Sequence, residues 1–227
     1  MNNKLIIFDI DGTITDTTEV DDLCFKKTFK LLYDIDLINV TWSDYPHATD
    51  WGLSMSIIEE KFNISLSTNE KRKIEKHFIE ILQGELSENP QKFAEIPESV
   101  KFIKSLINSN QPIAIATGAW KHSALLKLKK VGLDIKGIPF ANSDEFYSRE
   151  EITKHAITKA ENQYNIKFKK FVYFGDGTWD YKTTKSLGIP LIGVDFHSNG
   201  KLKKLGVKNI ISDYTKPIQI MTILDKI

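Results

Sequence analysis

Five short runs of the chain are apolar almost throughout and have the length of single strands. They occupy positions 4–10, 112–117, 137–141, 171–175 and 190–194. Runs that are apolar at nearly every residue, rather than at every second one, are typical of strands covered on both faces, as in a parallel sheet. The sequence therefore predicts a parallel sheet buried between two layers of other structure.

Stretches with a helical repeat of apolar residues lie between the later runs. The clearest are at 97–110, 119–132 and 148–164, and the last opens with Ser148 and Glu151 at the spacing of a capping box. Strands that alternate with helices are joined by right-handed crossovers, which place helices on both faces of the sheet. We therefore predict an α/β fold with a doubly wound parallel sheet.

One segment, residues 16–86, breaks this alternation. It carries helical patterns and no convincing strand, and it is too long for a single crossover helix. We predict a helical cap at 16–86, inserted into a core formed by residues 1–15 and 87–227. Ligands of open α/β sheets bind at the carboxyl ends of the strands. Because the insertion follows the first strand, the cap should cover that crevice.

The composition is that of an ordinary globular protein of 227 residues with a formal net charge of +1. This balance gives no electrostatic reason to expect nucleic acid or an anionic membrane as a partner. No stretch approaches the roughly 18 apolar residues of a membrane span, and the first residues do not resemble a signal peptide. Cys24 is the single cysteine, which excludes an internal disulfide. We expect a cytoplasmic monomer or homodimer.

The first apolar run ends in two carboxylates. Asp9 and Asp11 are separated by one residue, and Gly12 follows them. Residues two apart in a strand point to the same face, so both carboxylates should enter one crevice if strand geometry continues to Asp11. Gly12 would let the chain turn away sharply. The alternative is a charged strand end followed by an ordinary turn.

The run at 171–175 has a similar ending, with Asp176 and Asp180 behind it. If the first and fourth runs are neighbours in the sheet, up to four carboxylates meet at its edge. Such a cluster is unfavourable unless some of its members are protonated or a cation lies among them. Oxygen ligands without His or Cys favour Mg²⁺. The alternative is an acidic turn in which Asp180 caps a helix.

Thr117 and Gly118 end the second apolar run and precede a helical stretch. A hydroxyl group beside free backbone N–H groups at a helix N-terminus can bind an anion such as phosphate. The alternative is that Thr117 only caps the helix.

Three motifs, FDIDGT, ATG and FGDGTWD, occur in an order that resembles the haloacid dehalogenase-like hydrolase superfamily, and the helical insertion resembles its type 1 cap. The resemblance covers nearly the whole chain and implies a Rossmann-like core. It implies that Asp9 is the nucleophile, Asp11 the general acid and base, and Thr117 a ligand of the phosphoryl group. It also implies that Mg²⁺ is held by Asp9, the backbone carbonyl of Asp11 and Asp176, with Asp180 supporting the site from behind these ligands or through water.

The basic residue that this superfamily places after its third strand, often before a proline, has no obvious counterpart here. The candidates are Arg149 and Lys154. Arg149 lies in the first turn of the helix predicted at 148–164, where it could reach a phosphate with two N–H donors. Lys154 lies off the apolar stripe of that helix and should face solvent. We therefore predict Arg149 as the catalytic cation.

Together these features predict a Mg²⁺-dependent phosphatase that hydrolyses a small phosphorylated metabolite through an aspartyl-phosphate intermediate. Two alternatives remain open. One is a phosphomutase of the same superfamily, although no matching histidine follows Thr17 closely. The other is a non-catalytic regulator that binds a phosphorylated ligand. A dehalogenase is disfavoured, because Asp11 adds an acid and a metal site that dehalogenation does not require.

Overall fold

The computed structural model describes residues 3–227, so Met1 and Asn2, the first two residues of the predicted core, lie outside the described part of the chain. Its strands, in chain order, are β1 Lys4–Phe8, β2 Thr15–Asp16, β3 Ala94–Glu95, β4 Ile113–Ala116, β5 Phe140–Ala141, β6 Lys170–Gly175, β7 Leu191–Val194 and β8 Asn209–Ile211. Its α-helices are α1 Thr18–Tyr33, α2 Asp50–Phe62, α3 Thr68–Glu88, α4 Ser99–Asn108, α5 Lys121–Lys130, α6 Arg149–Tyr164, α7 Thr178–Leu187, α8 Lys201–Lys204 and α9 Pro217–Lys226. Two 3₁₀ turns lie at Trp42–Asp44 and Pro90–Lys92.

Six of the strands form one sheet in the order β5-β4-β1-β6-β7-β8, and all neighbouring pairs are parallel. The first strand, β1, lies in the middle, with Phe8 opposite Ile115 of β4 on one side and Phe174 of β6 on the other. Each of the five predicted runs coincides with one of these strands to within three residues at either end. The predicted α/β, Rossmann-like fold is therefore confirmed.

The continuous apolar character of β1 is explained by burial on both faces of the sheet. Leu5 and Ile7 belong to a hydrophobic cluster that includes residues of α6. Ile6 and Phe8 belong to a second cluster, on the other face, that includes residues of α4 and α9. Since successive side chains of a strand alternate between faces, each of the four buried positions 5–8 meets an apolar layer.

The sequence prediction missed β8 and the short antiparallel ribbon of β2 and β3. The edge strand β8 has three residues, all only half-buried, which is too short for a detectable pattern. The ribbon pairs Thr15 with Glu95 and Asp16 with Ala94. It joins the two points at which the chain leaves and re-enters the sheet domain, so both connections to the inserted helices lie side by side.

The capping box predicted at the start of α6 is wrong, although the helix begins at the predicted place. Ser148 is the N-cap residue, but its side chain accepts no backbone hydrogen bond. The turn before the helix is instead tied to the inserted segment, because Thr49 Oγ1 donates a 2.7 Å hydrogen bond to the carbonyl oxygen of Tyr147.

The inserted helices α1, α2 and α3 have a hydrophobic cluster of their own, with Cys24, Phe25 and Phe78 among its buried members. Two of its buried side chains, Phe93 and Trp120, come from outside the inserted segment, residues 16–86. Trp120, in the loop between β4 and α5, is fully buried, and its ring centroid lies 5.4 Å from that of Phe78 and 6.3 Å from that of Phe25. Apolar contact through Trp120 therefore fixes the helical cap to the core. In the described chain, no helix combines the length and apolar character needed to cross a membrane.

Candidate active site

The loops that follow β1, β4 and β6 leave the sheet at one edge, because these parallel strands are direct neighbours. Asp9 follows β1, and its backbone N–H donates a 3.0 Å hydrogen bond to the carbonyl of Phe174 in β6. Thr117 and Asp176 follow β4 and β6 in the same way. Three motifs far apart in sequence thus meet at the carboxyl edge of the sheet.

Asp9, Asp176 and Asp180 form an acidic cluster in which one carboxylate oxygen from each lies within 4.8 Å of the others. Asp9 Oδ1 and Asp176 Oδ1 are buried and have no hydrogen-bond partner among the described residues. Burial raises the pKa of Asp9, and burial together with the neighbouring carboxylate of Asp180 raises that of Asp176 well above its usual range. Unpartnered, crowded carboxylate oxygens of this kind fit a hard divalent cation such as Mg²⁺.

The turn after Asp11 packs directly against this cluster. Gly12 has a φ of +73°, and a Cβ atom at this position would lie 2.2 Å from Asp176 Oδ2. Both the left-handed backbone and the close approach exclude a side chain here. The glycine therefore lets the loop after β1 and the loop after β6 come together.

Asp180 combines the two roles considered for it from the sequence, because it caps a helix and also belongs to the acidic cluster. Its Oδ2 accepts a 2.9 Å hydrogen bond from the N–H of Gly177, the N-cap of α7, so it does satisfy a helix terminus. Its Oδ1 accepts a 2.9 Å hydrogen bond from Arg149 Nη1. Burial, and then the charge of Asp9, raise the pKa of Asp180 to about 7. Both oxygens are thus engaged, while the carboxylate still borders Asp9 and Asp176.

Arg149, the first residue of α6, is buried within this edge of the sheet. Its Nη1 lies 3.0 Å from Asp9 Oδ2 as well as 2.9 Å from Asp180 Oδ1, and its Nη2 donates to the carbonyl of Ala48 at 3.3 Å. Its Nε is buried without a partner among the described residues. Lys154, the other candidate cation, is exposed on the outer surface of α6. The structure thus brings Arg149, and not Lys154, to the acidic cluster.

Thr117 and Gly118 lie beside Arg149. A Cβ at Gly118 would lie 2.5 Å from Arg149 Nη2, and the carbonyl of Gly118 accepts a 2.8 Å hydrogen bond from Asp50 N at the start of α2. Thr117 is buried, and its Oγ1 accepts a hydrogen bond from Ala119 N at 3.2 Å. The N-cap of α5 is Trp120, so the alternative that Thr117 caps this helix is wrong.

The side chain of Asp11 is turned toward the cap rather than into the three-carboxylate cluster. Its Oδ1 accepts a 2.5 Å hydrogen bond from Thr17 Oγ1 and a 2.7 Å hydrogen bond from Lys127 Nζ. Lys127, on α5, is completely buried and also forms an ion pair with Asp21 of α1. Asp11, Asp21 and Asp50 raise the pKa of Lys127 even though burial alone would lower it.

Lys127 was not recognised from the sequence. In the sequence it resembles Lys129 and Lys130, the two other basic residues in the last turn of α5. The available signal is its spacing, because Lys127 follows the buried Ala124 by three residues and precedes the buried Leu128. A lysine on the apolar stripe of a helix is a candidate for a specific buried ion pair.

A cavity lies between the sheet edge and the cap. Its lining from the core includes Asp9, Asp11, Thr117, Gly118, Arg149 and Trp179. Its lining from the cap is acidic and aromatic, with Asp21, Asp22, Phe25, Trp42 and Asp50 among its members. The predicted site residues Asp9, Asp11, Thr117, Gly118 and Arg149 therefore share one cavity. Asp176 and Asp180 are not among its lining residues, but their carboxylates are close to that of Asp9.

Comparison with known proteins gives a consistent result. A family model described as "Haloacid dehalogenase-like hydrolase" matches residues 6–194. A Clostridium perfringens protein that carries the provisional name pyrophosphatase PpaX is 26% identical over 99% of this chain and 98% of its own length. A phosphoglycolate phosphatase of Mesorhizobium japonicum is 24% identical over 86% of this chain and 84% of its own. Among solved structures, a hydrolase from Pseudomonas syringae has a TM-score of 0.73 at 18% identity, covering 98% of both chains.

Proposed function

Because this chain belongs to the haloacid dehalogenase-like hydrolase family, we propose that it is a Mg²⁺-dependent phosphatase acting on a small phosphorylated metabolite. The observation that carries the proposal is the cluster of Asp9, Asp176 and Asp180 next to the buried cation of Arg149. Such a site offers ligands for a metal and a charge for a phosphate at the same point. The substrate would be enclosed between the core, residues 1–15 and 87–227, and the cap, residues 16–86.

Mg²⁺ would be held by the free Oδ1 atoms of Asp9 and Asp176 and by the backbone carbonyl of Asp11. Asp180 would support the site, since its own oxygens are engaged by Arg149 and Gly177. When bound, the ion neutralises part of the negative charge on the phosphoryl oxygens, which otherwise repels a nucleophile.

In the first step, a carboxylate oxygen of Asp9 attacks phosphorus, and the bond from phosphorus to the leaving oxygen breaks. Arg149 and the hydroxyl group of Thr117 would stabilise the phosphoryl oxygens through charge and hydrogen bonds. The product is a covalent aspartyl-phosphate on Asp9, so one difficult displacement becomes two easier ones.

Asp11 would transfer protons in both steps. It donates a proton to the leaving alkoxide, and it then takes one from the water that hydrolyses the aspartyl-phosphate. Its place in the cavity lining, between the phosphate end and the cap, agrees with contact to the leaving group.

The cap side of the cavity favours a substrate whose alcohol part carries no second anionic group. Asp21, Asp22 and Asp50 line this side, together with Phe25 and Trp42. No lysine or arginine from the cap is among the lining residues in the described chain. Asp21 and Asp22 are already paired with Lys127 and Lys26. Among the described residues, this side therefore offers no free cation to a second anionic group, and a neutral group would fit it better than a carboxylate or a second phosphate.

A screen of phosphate monoesters for Mg²⁺-dependent phosphate release tests the function. The nucleophile is tested with Asp9→Asn, which keeps the shape of the side chain, and with Asp225→Asn on the exposed surface of α9 as the matched control. We expect Asp9→Asn to lose roughly 10³-fold or more in kcat and the control to behave as wild type. Activity of Asp9→Asn within about tenfold of wild type contradicts this assignment. Transfer of phosphate to a sugar instead of water would indicate a phosphomutase.

A further inference from the structure

Lys127 is the one lysine that is buried in the described chain, and the chemistry above does not use it. Its side chain has no exposed surface, and it extends from α5 to the carboxylates of Asp11 and Asp21. A buried ion pair is weak evidence for a stabilising role, because apolar residues of similar size often serve as well or better. We therefore look for the reason that Lys127 is buried here in its contacts with the candidate active site.

The contacts of Asp11 Oδ1 supply that explanation. This atom accepts hydrogen bonds from Lys127 Nζ at 2.7 Å and from Thr17 Oγ1 at 2.5 Å. Thr17 Oγ1 is held in turn by Thr15 Oγ1 at 2.6 Å. No described residue donates a hydrogen bond to Asp11 Oδ2, and Asp11 lines the cavity. With Oδ1 fixed from two sides, Oδ2 is the oxygen left for a bound molecule.

We infer that Lys127 is a positioning residue that fixes the Asp11 carboxyl so that Oδ2 can pass its proton to the leaving group. The inference rests on the proposed phosphatase function. As the new bond from Asp9 to phosphorus forms, the bond from phosphorus to the leaving oxygen breaks, and that oxygen takes the proton from Asp11 Oδ2. A proton from the hydrolytic water later restores Asp11. Lys127 makes no contact with the substrate in this scheme and acts only through Asp11.

A positioning role of this kind makes a specific kinetic prediction. Ethyl phosphate releases a strongly basic alkoxide that needs a proton as it leaves. para-Nitrophenyl phosphate releases a stabilised phenolate that needs almost none. Since kcat/KM reports the steps up to formation of the aspartyl-phosphate, the ratio of kcat/KM for the two esters measures how well Asp11 donates its proton. This ratio does not depend on the fraction of folded enzyme.

The experiment compares Lys127→Met with Lys130→Met, a matched change at an exposed position of the same helix. We expect Lys127→Met to lower the kcat/KM for ethyl phosphate, relative to that for para-nitrophenyl phosphate, by about tenfold or more, since general acid catalysis is typically worth 10²–10⁴-fold. Lys130→Met should leave the ratio unchanged. A change below about fivefold for Lys127→Met overturns the inference, because a purely structural role would affect both esters equally.

Removal of Lys127 leaves Asp21 as an uncompensated buried charge, which could prevent folding. The double variant Asp21→Asn/Lys127→Met removes both charges together, and the same criterion applies to it. If the wild-type enzyme hydrolyses neither ester nor any monoester of the screen, the proposed function itself is refuted. If it hydrolyses both esters and the ratio does not move, only the role of Lys127 is refuted.

Discussion

Replacement of Arg149 by alanine is the change from which the site geometry predicts the largest effect outside the carboxylates. Arg149 Nη1 contacts Asp9 Oδ2 at 3.0 Å and Asp180 Oδ1 at 2.9 Å. The guanidinium is buried, and within the described residues no second cation contacts either of these two carboxylates. Its removal would leave the negative charges of Asp9 and Asp180 close together with no cation between them.

The magnitude follows from these contacts. A hydrogen bond to a charged group contributes about 1.5–3 kcal/mol, so the loss of two such bonds costs roughly 3–6 kcal/mol. When a phosphoryl group occupies the site, we expect the same donors to face its oxygens. At about 1.36 kcal/mol for each factor of ten, Arg149→Ala should lower kcat/KM by roughly 10²–10⁴-fold.

The assay is phosphate release from a monoester in the presence of Mg²⁺, with Lys154→Ala as the matched control. Lys154 lies on the same helix and is exposed, so its removal should change kcat/KM by less than about twofold. Guanidinium ions added to Arg149→Ala should restore part of the activity, since they can fill the same cavity. If Arg149→Ala retains wild-type activity, or if Lys154→Ala is the more damaged variant, the reasoning is refuted.

Two further predictions concern the same edge of the sheet. Gly118→Ala places a Cβ 2.5 Å from Arg149 Nη2 and 3.0 Å from the carbonyl of Ala48, so kcat/KM should fall by about tenfold or more. The control Gly84→Ala meets open space in α3, so it should leave kcat/KM unchanged and raise the free energy of unfolding by about 0.5–1 kcal/mol. Equal kcat/KM values for the two variants would contradict this prediction. The second uses the pKa of Asp180, which is raised from 3.8 to about 7. Between these values the folded state holds a proton that the unfolded state has lost, so metal-free stability should fall as pH rises through this window. Mg²⁺ held by the adjacent Asp9 and Asp176 would disfavour that proton through its charge, so the ion should raise Tm more at about pH 8 than at about pH 5; equal shifts in thermal melting would contradict the assignment.

The sheet and the acidic cluster could be predicted because both depend on local sequence patterns and a topological rule. A strand buried on both faces is apolar at nearly every position, so β1 and β6 could be predicted from their continuous apolar runs. Parallel neighbours end at the same edge of a sheet, so the sequence alone predicts that Asp9 lies beside Asp176. Arg149 followed from its place in the first turn of a helix that starts at this edge.

The parts that were missed depend on contacts between segments that no single stretch of sequence encodes. Lys127 looks like one of several surface lysines until α1 brings Asp21 against it. The cavity wall formed by Phe25 and Trp42 depends on how the cap lies on the core. The edge strand β8 is short and half-buried, so neither its length nor its hydrophobicity distinguishes it from a loop.

The seating of Trp120 in the hydrophobic cluster of the cap has a consequence for turnover. An indole of this size buries about 200 Å², and exposing it to water would cost on the order of 4–5 kcal/mol. Full separation of cap and core would therefore occur in roughly one molecule in a thousand or fewer at any moment. The cap should therefore stay closed on the core whether or not a ligand is bound. The rate at which it partly opens then sets the upper limit on the rate of product release.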